Sequence, residues 1–201
     1  MDLKLDITGT APLLMHNARL SNPLDELARA MKKVSAKRSK SEDDYLELAR
    51  LEFLGGLYNG PVGPYIPADN IFRCLVDAGR KRKLGVKVTS GVIITTDENP
   101  LAYKGPREPD ELWRDGNFML QASAKVGQQR IIRTRPKFPV DPKNSDNSWR
   151  TSAMLYLDTE VLDYDDLTQL VDIAGRLIGL GDWRPRYGRF EGTLTVVKDV
   201  S

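Results

Sequence analysis

Gly179-Leu180-Gly181-Asp182-Trp183-Arg184-Pro185-Arg186-Tyr187-Gly188-Arg189-Phe190 is the stretch on which the reading of this chain turns. Leu167, Leu170, Val171, Ala174, Leu177 and Ile178 precede it, recurring three or four residues apart as on one face of a helix. Asp163 or a neighbour is placed to cap that helix. Residues 190–197 follow it and read as a strand. The stretch therefore joins a helix to a strand. Its glycines allow backbone conformations closed to other residues and close approach of a ligand. Arg184, Arg186 and Arg189 carry planar forks that match phosphate, and Trp183 and Tyr187 offer faces on which unpaired bases stack. The plainer alternative is a tight connection with solvated arginines and a tryptophan turned to the core. Because the glycines follow a helix, they are neither a dinucleotide-binding fingerprint nor a P-loop.

Working outward, residues 3–9 alternate apolar and polar, placing Leu3, Leu5 and Ile7 on one face of a strand that leaves through Pro12. Residues 23–33 suit a helix, and the basic run 32–40 reads as an exposed arm. Ser41 and Asp44 form a capping pair for a helix with a Tyr45, Leu48, Ala49 and Leu51 stripe, stopped at Gly55-Gly56. Ile66-Pro67-Ala68-Asp69-Asn70 opens another helix, with Ile71, Leu75 and Ala78 on one face and Cys74 beside them. The β-branched run 86–96 reads as a strand, and residues 97–116 as a loop. Residues 117–126 and 129–135 suggest a hairpin about Gly127-Gln128. Residues 139–150 read as a mobile polar loop, and 151–160 as a strand. Strands and helices in this order make an α+β chain, read as one domain over residues 1–201.

Composition sets limits. The 201 residues carry 30 Lys and Arg against 28 Asp and Glu, so whole-chain charge does not announce nucleic acid, and any such case rests on where the charges lie. Cys74 stands alone, which rules out an internal disulfide and fits a reducing compartment. Residues 1–10 show no basic segment followed by an apolar run, and no stretch is apolar enough to span a bilayer, so a cytoplasmic protein without a membrane partner is expected. His16 is the sole histidine, which disfavours a histidine-based metal cluster or triad. No metal or cofactor is expected, and Asp43 and Asp44 are explained as helix-start acids.

Four local features together resemble the RAMP superfamily, the RRM-like proteins that form the guide-RNA-binding backbone of CRISPR effector complexes. They are the opening strand running into Pro12-Leu13-Leu14-Met15-His16-Asn17, the helix start at residues 66–70, the long hairpin region, and the glycine–arginine stretch before the last strand. Trp183 and Pro185 depart from the commonest glycine-rich pattern of that family. The chain is also short for a full backbone subunit, and its length suits a small phage-borne or solitary relative equally well.

The resemblance implies an RRM-like (ferredoxin-like) antiparallel sheet, a helical insertion at about residues 18–65 and a projecting hairpin, or thumb, within about residues 97–150. It implies non-catalytic, sequence-tolerant binding of single-stranded nucleic acid, RNA more than DNA. Copies would associate into a helical oligomer, with other CRISPR effector subunits as further candidate partners. The implied contacts are Trp183, Arg184, Arg186, Tyr187, Gly188 and Arg189 of the loop, with Asn70 and Arg73 at the helix start. Arg130, Arg133, Arg135 and Lys137 of the hairpin join them, and alternation puts Arg133 and Arg135 on one strand face. A solvated sheet face is the simpler account of that set. Trp113, Phe118 and Trp149 look exposed and would serve self-association. A second reading is an interaction protein of this fold that mimics a backbone subunit and blocks assembly. A third is a metal-dependent ribonuclease, for which no local motif supplies the aspartate.

Overall fold

A computed structural model describes residues 1–197. The first strand, β1 (Asp2–Gly9), alternates as its sequence predicts: Leu3, Leu5 and Ile7 are buried, and Lys4 is exposed. A two-residue strand, β2 (Leu13–Leu14), follows, and then two helices, α1 (Glu26–Ser35) and α2 (Glu42–Gly56). Ser41 and Asp44 close a reciprocal capping box at the start of α2. Short strands β3 (Asn59–Gly60) and β4 (Gly63–Pro67) lead into α3 (Ala68–Lys81). Next come α4 (Gly85–Gly91), β5 (Val92–Ile94), β6 (Glu98–Pro100) and α5 (Pro109–Arg114). The hairpin is β7 (Met119–Val126) and β8 (Gln129–Phe138), turning at Gly127-Gln128. The chain ends with β9 (Arg150–Leu157), α6 (Tyr164–Ile173) and β10 (Phe190–Val196).

The main sheet has four strands in the order β10-β1-β9-β5, each neighbour antiparallel. In its register Leu5 faces Ala153 on one side and Leu194 on the other. This apolar face is covered by α3 and α6, through Ile71, Leu75 and Ala78 and through Leu167, Leu170, Val171 and Ala174. The alternation in β1 and the stripe in α6 are thus two halves of one core. The opposite sheet face is mixed: Lys4 pairs with Asp6 at 2.8 Å and the Ser152 hydroxyl donates to Asp6, while Ile93 and Tyr156 are exposed beside them. Among the described residues no helix is long and apolar enough to cross a membrane.

Five expectations change or sharpen. The run 86–96 is mostly helix: the Thr89 and Ser90 hydroxyls bond back to the carbonyls of Gly85 and Val86, and Val88 is fully buried beside Gly79 of α3. Local hydroxyl bonding and one buried anchor override β propensity there, and only β5 extends. In α2 the core face is Leu51 and Phe53, while Tyr45 is 62% exposed. The predicted loop at 97–116 contains β6 and α5, the latter anchored by buried Leu112. The loop at 139–150 is organised by Asp141, whose carboxylate accepts from the backbone of Lys143 and Asn144 and from the Asn147 amide. Trp149 and Phe118, read as exposed, are buried, and Trp149 Nε1 donates to the Ala11 carbonyl at 2.8 Å. Trp113 leans on Phe53 with ring centres 5.5 Å apart. These rings therefore serve the core.

Candidate nucleic-acid interface

The glycine–arginine loop begins where α6 widens into a π-type turn, Ala174–Ile178. From Gly179 the backbone reverses and is fastened to the exit of β1 and to β2. Leu180 N–H donates to the Gly188 carbonyl, Gly188 N–H to that of Pro12, and Asp182 N–H to that of Leu14, each at 2.8 Å. Thr10 and Ala11 both donate to the Arg189 carbonyl. Leu180 is the buried anchor beneath. Gly181 and Gly188 have φ of 73° and 71°, and a Cβ there would meet backbone oxygen at 2.1 Å and 1.8 Å. Glycine at these two positions is thus a steric requirement.

What this frame presents is polar and aromatic. Trp183 and Tyr187 are half-buried with ring centres 6.2 Å apart, and the Arg186 guanidinium lies 5.5 Å from the Tyr187 ring centre. Arg186 and Arg189 are exposed, and among the described residues neither pairs with an acid. Arg184 turns back toward α3 and reaches Asp77 at 3.8 Å. The same carboxylate meets Arg80 at 2.9 Å and Arg73 at 3.4 Å. Three guanidiniums thus surround one carboxylate and leave the cluster cationic. A groove of about 470 Å³ runs past it, lined among others by Asp77, Lys81, Trp183 and Arg184. Arg80 and Lys81, at the end of α3, therefore adjoin the loop. In the basic run 32–40, by contrast, Lys37 pairs with Asp44 of α2.

A smaller recess of about 110 Å³ shares Gly181 and Asp182 with that groove and is otherwise lined by His16, Tyr58 and Asn70. Asn70 comes from the first turn of α3, whose N-cap, Pro67, makes no side-chain bond. Tyr58 donates to the His16 carbonyl at 3.3 Å and lines the recess beside Asn70. Burial pushes the Tyr58 phenol up, so it stays protonated. His16 is exposed, yet the protein around it desolvates the ring. That desolvation, with Arg135 nearby, lowers its pKa from 6.5.

The hairpin basic residues are not brought to one surface. Arg135 is buried, with Nη1 2.7 Å from Glu52 and Nε 2.8 Å from Asp182. Arg133 also reaches Glu52, at 3.3 Å, and Thr134 N–H donates to its other oxygen at 2.9 Å. Arg133 and Arg135 share a face, as alternation requires, but that face looks into the protein. Arg130 is exposed near the hairpin turn, and Lys137 lies opposite Leu14 at the base. At roughly 3.4 Å per residue they stand about 24 Å apart along the strand.

Asp77, Glu52 and the pairing of Tyr58 with His16 escaped sequence reasoning. Only Asp77 left a signal, because Arg73 and Arg80 lie one helical turn to either side of it. Glu52 looks like any helix-surface acid until β8 covers it. No protein-family model matches the chain, and no curated protein matches it significantly.

Proposed function

We propose that the protein is a RAMP-type, non-catalytic binder of single-stranded nucleic acid, RNA in preference to DNA, which holds the strand backbone with little sequence preference. The order β10-β1-β9-β5, with α3 between β1 and β5 and α6 between β9 and β10, supports the RRM-like reading of the sheet. The observation that carries the function is the fastening of the loop. Backbone bonds and two obligatory glycines fix its frame, so Trp183 and Arg184 are held beside the Asp77 cluster, with Tyr187 against Trp183 and Arg186 against Tyr187, and little further ordering is needed on binding. Guanidiniums take phosphates, and the two rings take bases by stacking, which every base permits.

Self-association along the strand belongs to the same proposal. A groove of about 680 Å³ between α2 and the hairpin supports it, with Tyr45, Leu46 and Ile132 exposed along its walls. Contiguous apolar surface of this kind marks protein contacts. Titrating labelled poly-U and mixed-sequence strands at several salt concentrations tests the binding claim. Affinity is expected to fall linearly with log salt, with little difference between sequences. A salt-independent affinity, or strong preference for one sequence, contradicts it. Light scattering with and without a long strand tests the assembly: a monomer under both conditions contradicts that part.

A further inference from the structure

We propose that the recess formed by His16, Tyr58, Asn70 and Asp182 receives a ribose 2′-hydroxyl of the bound strand and is the feature that selects RNA over DNA. This rests on the strand-binding reading above and names its ligand at the level of the sugar.

The first argument is position. The recess and the cationic groove share Gly181 and Asp182 as a common wall. Arg184 lines the same groove, so a strand whose phosphate meets Arg184 runs beside that wall. The second is charge. The one guanidinium joined to the recess, that of Arg135, is already engaged by Glu52 and by Asp182 itself. The Asp182 carboxylate already accepts from Arg135 Nε and from Trp183 N–H, so the recess holds no free cation for a phosphate, while the remaining carboxylate lone pairs can accept a hydrogen bond from a hydroxyl. The third is the balance of donors and acceptors. His16, held neutral near pH 7 by its lowered pKa, offers one N–H and one lone pair. The amide of Asn70 donates and accepts. A 2′-hydroxyl also does both, and it is the group that lets a protein distinguish RNA from DNA.

The fourth argument is size and shape. About 110 Å³ equals the share of only a few liquid waters. That admits the edge of a sugar. The rings suited to stacking, Trp183 and Tyr187, lie outside the recess, and the Tyr58 ring is packed on Tyr65 with centres 6.0 Å apart. A base thus has Trp183 to stack on in the groove and its sugar at the recess.

The test uses the full chain and one sequence in three chemistries: oligo-U as ribose, as deoxyribose and as 2′-O-methyl ribose. Anisotropy is read for the wild type and for a His16→Ala, Asn70→Ala double variant, each beside its melting midpoint. The wild type is expected to bind ribose roughly tenfold more tightly than the other two, as for the hydrogen bonds to His16 and Asn70 that a 2′-hydroxyl makes and the other sugars do not. The double variant is expected to bring ribose affinity to the deoxyribose level. Equal wild-type affinity for ribose and deoxyribose strands overturns the inference and leaves strand binding standing. A full ribose preference in a folded double variant overturns it as well. Failure of the wild type to bind any of the three overturns both.

Discussion

The protein carries two arginine-rich segments that look alike as sequence and differ as chemistry. In residues 130–135 of β8 the arginines alternate along a strand, and the deepest of them, Arg135, is buried between Glu52 of α2 and Asp182 of the loop. In residues 184–189 they sit on a connection whose backbone is fastened to β1 and β2, and Arg186 and Arg189 stand in solvent. The hairpin arginine tightens the fold, and the loop arginines are available to a ligand. The two are joined: Asp182 belongs to the loop, so the buried pair in β8 helps hold the frame that exposes Arg186 and Arg189. What separates them is the neighbour each side chain meets, which residue type alone does not reveal.

The sharpest way to break this comparison is Arg135→Ala. It removes the nearer guanidinium from buried Glu52, leaves Arg133 at 3.3 Å as its remaining cation, and is expected to cost about 3 kcal/mol in chemical denaturation, the lower end for a broken buried pair. Arg186→Ala and Arg189→Ala, being exposed, are expected to stay within about 0.5 kcal/mol of wild type. Similar losses for all three would erase the distinction.

A smaller effect is expected at Gly188. Alanine there must hold φ near 71° and place its Cβ 1.8 Å from the Leu180 carbonyl oxygen unless the loop shifts. Strain of this kind costs about 1–3 kcal/mol. Cys74 reports whether the loop opens. Its Sγ lies 3.2 Å from the Gly179 carbonyl, and burial pushes its thiol up to about 12. Iodoacetamide is expected to label the wild type slowly and Gly188→Ala faster. Equal rates would mean the loop stays fastened without its glycine.

The smallest effect is a pH dependence. The folded pKa of His16 lies below its ordinary 6.5, so folding favours the neutral ring. Its contribution to stability is complete above pH 6.5 and is lost as pH falls through the lower folded value. Asp25, Asp44 and Asp141 have pKa values lowered from 3.8, and their contributions fade only in stronger acid. Thermal melts between pH 7 and 5 are therefore expected to show a shallow decline that His16→Gln flattens. An identical decline in the variant would show that other groups cause it.

The two segments also show what a sequence can disclose. Alternation in residues 3–9 and the stripe in residues 167–178 locate the central strand and a covering helix, because each pattern records one buried face. The hairpin follows from its Gly127-containing turn. The helix at residues 85–91 hides behind β-branched residues, since the burial of Val88 is a tertiary fact. In the site, glycine spacing marks the loop, because positive φ leaves a residue-level trace at Gly181 and Gly188. Its convergence with Asn70, His16 and Asp77 leaves little trace, because those contacts join segments far apart in the chain. Arg135 is the clearest case: its partners are 83 and 47 residues away.

The central claim is that the fastened loop presents its arginines to a strand. Its most direct test is the affinity of the Arg184→Ala, Arg186→Ala, Arg189→Ala variant for a labelled single strand across a salt series, read beside its melting midpoint. The account predicts a roughly tenfold or greater loss of affinity. It also predicts a salt slope flattened by about 0.7 for each phosphate contact removed, with the midpoint nearly unchanged. Wild-type affinity and slope in a variant of wild-type stability would reduce the loop to a connection between α6 and β10 and contradict the account.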